Sequence, residues 1–171
     1  MKTAITEMFG IQHPIIQGGM HYVGFAEMAA AVSNAGGLGI ITGLTQGTPE
    51  KLANEIARCK DMTDKPFGVN MTVFPTINAP DYKAYAQSII DGGVKIVETA
   101  GTQAVRDIWE MLKPHGVTIL HKCTAVRHAL SAERQLALDV VEQHDTLAPE
   151  QHQGDQAILH RRRLELKASL A

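Results

Sequence analysis

Short apolar runs alternate along this chain with longer stretches whose apolar residues recur at helical spacing. The runs predict strands at Pro14–Gln17, Leu38–Ile41, Phe67–Asn70, Lys95–Val97 and Val117–Leu120. The stretches between and after them predict helices at Gly24–Ala35, Pro49–Met62, Asp81–Asp91, Thr102–Lys113 and Thr124–Gln135. Boundary chemistry supports the scheme. Thr48 before Pro49 is an N-cap followed by proline at the first helical position, and Asn34-Ala35-Gly36-Gly37 and Asp91-Gly92-Gly93 are glycine stops before the next strand. Consecutive strand–helix units of roughly 25–30 residues imply a parallel sheet, because each crossover returns the chain in the same direction. Strands that read as unbroken apolar runs are buried on both faces.

Two architectures fit such units, an open doubly wound sheet and part of an eight-unit barrel. Gly36-Gly37-Leu38-Gly39 precedes the second strand instead of following the first, so it is not a dinucleotide-binding turn, and the barrel is favoured. The expected fold is therefore α/β, with about five of the eight TIM-barrel-type units. From Leu136 onward the rhythm stops, in a segment rich in Gln, His and Arg with a single glycine, Gly154. Leu136–Val141 reads as a sixth strand or a continued helix, Gln151–Gln156 as a polar loop, and Ile158–Leu170 as a loosely amphipathic helix. The domain reading is thus 1–135 for the barrel part and 136–171 for an unrelated tail.

Composition narrows the function. The net charge of -2 gives no general attraction to nucleic acid or to an anionic membrane, and Arg161-Arg162-Arg163 is too short to change that. No apolar run approaches the roughly 20 residues that span a bilayer. Met1–Gly10 lacks a signal-peptide profile, and Cys59 and Cys123 have no paired spacing, so free thiols in the cytoplasm are expected.

In a barrel the strand C-termini share one mouth. Here they are Gln17–Met20, Thr42-Gly43, Asn70–Thr72, Glu98–Gly101 and His121–Thr124. Gln17-Gly18-Gly19-Met20 reads either as a plain strand-to-helix turn or as bare backbone brought up to a flat ligand, with Met20 as an apolar contact. Asn70 offers an amide to a ring edge or simply ends a strand. Lys122 places a cation at the mouth or is a solvated lysine. Glu98 suits a general base or a hydrogen bond inside the barrel. His21, His121, Cys123 and His128 match no compact zinc spacing, so no metal site is assigned, and Cys123 reads as a structural thiol.

Taken together, PIIQGGM (Pro14–Met20), NAGGLG (Asn34–Gly39), DKPFGVNM (Asp64–Met71), VETAG (Val97–Gly101) and HKCTAVRHA (His121–Ala129) resemble the nitronate monooxygenase (2-nitropropane dioxygenase) family over about residues 1–135. The resemblance implies an FMN-containing TIM barrel that oxidises alkyl nitronates with dioxygen to a carbonyl compound and nitrite. By position it implies that Gly19, Met20 and His21 meet the flavin ring, largely through backbone, and that Asn70 and Lys122 complete the near side. His21 stands where relatives often carry Gln or Ala. The family's Gly-His-Pro-Gly-type loop, which supplies the active-site histidine, is absent, so no catalytic residue is assigned. The glycine-rich phosphate loops after the seventh and eighth strands are absent as well.

Five strands leave two unpaired edges, which predicts aggregation or assembly with another chain. A frameshift, a gene fusion or a truncation accounts for the tail. Two alternatives accompany this reading: a non-catalytic fragment or half-barrel, and the related enoyl-acyl-carrier-protein reductase type of flavoenzyme.

Overall fold

The computed structural model describes residues 2–74, 79–101, 105–136 and 139–142. The elements in chain order are α1 (Ala4–Phe9), α2 (Ala26–Asn34), β1 (Gly39–Thr42), α3 (Pro49–Met62), β2 (Phe67–Val73), α4 (Tyr82–Asp91), β3 (Ile96–Gly101), α5 (Arg106–Leu112), β4 (Thr118–Cys123), α6 (Val126–Leu136) and β5 (Asp139–Glu142). The chain divides into two compact units, Met1–Leu120 and His121–Ala171. In the first, β1, β2 and β3 pair in parallel, and β4 follows β3 in the strand order. In the second, β5 lies beside β4 and packs with α6.

Local chemistry explains the helices. Thr48 Oγ1 accepts from Lys51 N–H at 3.2 Å, Pro49 opens α3, and the helix ends at Met62 as the spacing predicts. Its inward stripe is Leu52, Glu55, Ile56 and Cys59, the i, i+3, i+4, i+7 pattern of one helix face. Asp81, expected as the first helical residue, is the N-cap of α4 and accepts from Ala84 N–H at 3.0 Å. Burial, with the Glu55 carboxylate adding to it, pushes the Cys59 thiol up to about 11. Cys59 is therefore a packing residue and a poor nucleophile.

Three expectations are corrected. Pro14–Gln17 is not a full strand. Only an isolated parallel bridge joins Ile16 to Leu38, through Leu38 N–H to the Ile15 carbonyl and Gln17 N–H to the Leu38 carbonyl, both 2.9 Å. Beyond that the Gln17 side chain takes over, its Oε1 accepting from Ile40 N–H at 3.1 Å and its Nε2 donating to the Ile40 carbonyl at 3.0 Å. A side-chain amide thus completes the ladder where the backbone turns away. Second, β2 and β3 run three and four residues past their predicted ends. Third, α2 starts at Ala26, because the Gly24 N–H is held by the Met20 carbonyl in the preceding turn.

Of the span Leu136–Val141, Leu136 ends α6 and Asp139–Val141 lie in β5, while residues 137–138 are outside the described residues. The sequence pattern also missed α1, whose six residues rest on a reciprocal Thr3–Thr6 cap. The loop expected at Gln151–Gln156 and the helix expected at Ile158–Leu170 lie outside the described residues, as does the start of the helix expected at Thr102. Among the described residues, no helix is long and apolar enough to cross a membrane.

The start of α2 has an unusual cap. Phe25 offers no side-chain acceptor, and Glu55, reaching over from α3, accepts from Ala26 N–H at 2.7 Å. Arg58 binds the other Glu55 oxygen at 2.7 Å and also pairs with Glu27. A buried carboxylate at a helix N-terminus is stabilised by the helix dipole and by its cation. Glu55→Ala is expected to cost about 2 kcal/mol, with the half-exposed Arg58 keeping the loss below that of a fully buried pair. Glu55→Gln retains the cap and is expected to cost roughly half as much. Urea unfolding measures both, and equal costs would contradict the capping role.

Candidate functional site: a glycine turn held by a polar row

The parallel register lays Thr42 beside Asn70 and Asn70 beside Glu98, so one lateral row of polar side chains crosses β1, β2 and β3. Side chains alternate faces along a strand. Thr99, next to Glu98, accepts from Trp109 Nε1 of α5 at 3.0 Å on the helix-covered face, which puts Glu98 and its row on the opposite face. All three row residues are buried, with Asn70 at 4% and Glu98 at 2% exposure.

Buried polar atoms need partners, and this row finds them in the turn after Gln17. Glu98 Oε2 accepts from Gly19 N–H at 2.9 Å and from Asn70 Nδ2 at 2.8 Å. The Thr72 hydroxyl donates to Asn70 Oδ1 at 3.4 Å, which assigns the orientation of that amide. Thr42 Oγ1 accepts from Met20 N–H at 2.8 Å and donates to the Met20 carbonyl at 2.9 Å. Gln17 Nε2 also donates to the Gly18 carbonyl at 2.8 Å, and Tyr22 N–H donates to Thr45 Oγ1 at 3.2 Å. Side chains from separate strands therefore pin successive peptide groups of one turn.

The turn passes so close to the sheet that a β-carbon on Gly19 would overlap the Asn70 side chain. A β-carbon on Gly18 would meet Glu98 Oε1 at 3.5 Å, ordinary contact. Beyond Met20, Tyr22 adopts a left-handed conformation (φ 57°) and stacks on His21 with ring centroids 4.1 Å apart. Met20, Tyr22 and Val23 are exposed, as is Phe74 just after β2, an apolar rim at the carboxyl end of the parallel strands.

Gly19, Met20 and His21 follow one another in the turn, and Asn70 lies directly beneath Gly19. Their roles differ in detail. Gly19 N–H and Met20 N–H are already held by Glu98 and Thr42, and the Asn70 amide donates to Glu98. Among the described residues, the N–H groups of Gly18 and His21 meet no partner within the chain, so these are the turn's open backbone donors. Lys122 lies on β4 beyond Leu120, in the second unit, and is half-buried. The pinning roles of Gln17 and Thr42 went unseen in the sequence, whereas a hydrogen bond inside the barrel was one of the two readings open for Glu98. Their common signal was position, since Gln17, Thr42 and Glu98 all sit at the predicted strand tips.

The family model for nitronate monooxygenase matches residues 2–146. The chain belongs to the nitronate monooxygenase family. Among curated relatives, the Mycobacterium tuberculosis enzyme (3aS,4S,5R,7aS)-5-hydroxy-7a-methyl-1-oxo-octahydro-1H-indene-4-carboxyl-CoA dehydrogenase is 36% identical over 129 residues, 75% of this chain and 35% of that one. A nitronate monooxygenase of Pseudomonas aeruginosa is 48% identical over 71 residues, 42% of this chain and 20% of that one. Among solved structures, FabK from Thermotoga maritima superposes with a TM-score of 0.73 at 34% identity, covering 83% of this chain and 44% of that one.

Nitroalkane oxidase from Streptomyces ansochromogenes shares the fold, with a TM-score of 0.67 at 24% identity, over 82% of this chain and 48% of that one. The chain thus spans about a third or less of the length of these curated relatives. The architecture is α/β of TIM-barrel type, and the five strands among the described residues make it an incomplete barrel.

Proposed function

We propose that this chain carries the ring-facing part of a flavin site in an enzyme that oxidises alkyl nitronates with dioxygen to a carbonyl compound and nitrite, with FMN as the cofactor. One observation carries the proposal: the Gly18–Met20 turn is fixed by side chains from the strands and bare at Gly18 and Gly19, at the strand end where barrels bind ligands. The residues present suit a flat heterocycle. Gly18 and His21 offer open backbone N–H groups, glycine leaves the main chain uncovered, and Met20 and Tyr22 supply apolar surface at its margin.

When bound, the flavin supplies the redox chemistry between nitronate and oxygen. The chain's own residues orient the turn and present hydrogen-bond donors to the ring edge. A rigid, pre-formed cradle spends no binding energy on ordering itself. Within these 171 residues no Gly-His-Pro-Gly motif occurs, so no residue here is assigned to proton transfer. The expected behaviour of the chain by itself is flavin binding with little turnover. A cytoplasmic setting and association through the open barrel edges belong to the same proposal.

A second reading draws on the 36% identity to a dehydrogenase of a CoA thioester and the 34% identity to FabK. Under it, the enzyme is a flavin-dependent reductase of enoyl thioesters. Fluorescence titration with FMN, followed by oxygen uptake with a nitronate and NADH consumption with an enoyl thioester, separates the cases. FMN quenching with nitronate-dependent oxygen uptake, however slow, supports the first reading. NADH consumption without nitronate turnover selects the second. A chain that binds no flavin contradicts both.

A further inference from the structure

We propose that Glu98 is the positioning residue of this site, the group whose carboxylate sets the conformation in which the Gly18–Met20 turn faces the ring. The proposal rests on the flavin reading above and goes beyond it in naming what holds the turn. A single oxygen, Oε2, collects the Gly19 N–H and the Asn70 amide at 2.9 and 2.8 Å, while Thr72 holds the other end of that amide. Glu98 and Asn70 are direct cross-strand neighbours, so their separation is set by the sheet and not by the turn. The sheet thereby dictates where Gly19 lies. Glu98 is fully buried, so its carboxylate meets protein groups and not solvent.

The Gly19 site depends on this arrangement from both sides. Glu98 draws the Gly19 N–H down onto the row, and the missing β-carbon of Gly19 is what allows the approach over Asn70. Met20, next along, is pinned separately by Thr42 of β1. Removing Glu98 therefore releases Gly19 and Asn70 together but leaves Met20 attached. Such selective loosening distinguishes a positioning role from a general contribution to stability. A glutamine at this position keeps an oxygen able to accept both bonds and turns the other carboxylate oxygen into an N–H donor.

The test is amide hydrogen exchange on the full chain, resolved at Gly19, with Leu52–Cys59 of α3 as the control for the fold, together with FMN affinity. In Glu98→Ala, Gly19 exchange is expected to rise at least about tenfold and the FMN Kd to rise about tenfold, with α3 protection unchanged. In Glu98→Gln, both are expected within about threefold of wild type. Should Glu98→Ala fail to fold, Glu98→Asp takes its place under the same criteria: its carboxylate is one methylene short of the Gly19 N–H, so Gly19 exchange is expected to rise with α3 protection unchanged. Unchanged Gly19 protection in Glu98→Ala overturns the proposal. Lost protection with unchanged FMN affinity also overturns it, by uncoupling turn from ring. If wild type binds no FMN, the flavin reading fails, and Gly19 protection alone still decides whether Glu98 holds the turn.

Discussion

Gly39→Ala is expected to lower the stability of the chain by about 3 kcal/mol or more, enough to leave much of it unfolded. Gly39 opens β1 beneath α2, and a β-carbon there would lie inside the van der Waals envelope of the Ala29 backbone, overlapping its carbonyl oxygen. Helix backbone cannot swing aside as a flexible side chain can. Either α2 lifts from the sheet or β1 shifts in register, and each exposes apolar surface now buried by Ala26, Ala29 and Ala30. Gly47→Ala is the control. Its β-carbon has nothing within 4 Å, and at φ 82° it is expected to cost only about 1 kcal/mol of left-handed strain. Urea midpoints of the two variants measure the difference, and similar midpoints would contradict the close approach of α2 to β1.

Gly19→Ala is expected to weaken FMN binding by about a hundredfold, more than Glu98→Ala, because the added methyl group displaces the turn as well as loosening it. The added methyl group collides with Asn70, so the turn must rise from the row or Asn70 must leave Glu98. In the first case the Gly19 N–H loses Glu98, in the second Glu98 loses its amide partner, and in both the turn is no longer held in one conformation against the row. Gly18→Ala, one residue earlier, places its methyl in ordinary contact with Glu98 and is expected to change affinity by less than about threefold. The pair separates geometry from mere bulk, because both substitutions add the same group to the same loop. Titration by flavin fluorescence reads the ratio, and equal effects at the two positions would contradict the arrangement.

The βα order and α3 to the residue were legible in the sequence, because each rests on local pattern, whereas β2 and β3 run past their expected ends. Thr48-Pro49 and the spacing of Leu52, Ile56 and Cys59 specify α3 without help from the rest of the chain. The missing information was non-local. Nothing along the chain says that Gln17 finishes a strand with its side chain, since that depends on where Ile40 comes to lie. Likewise Thr42, Asn70 and Glu98 become one row only once the parallel register aligns them.

Asn70 shows the same limit from the other side. Its place at the site was readable, but its amide is used inward, on Glu98. The glycine turn itself sits at the junction of the two kinds of information. Its sequence marks a close approach, and the fold decides what is approached: Asn70 from below and, on the function proposed, the flavin ring from above.

The most direct test of the account is a map of backbone amide shifts in 15N-labelled chain as FMN is added. The account predicts that Gly18, Gly19, Met20 and His21 shift together and saturably, with the α3 amides from Leu52 to Cys59 unmoved. Saturable shifts centred elsewhere, or none in this turn at FMN concentrations that saturate the fluorescence change, would contradict it.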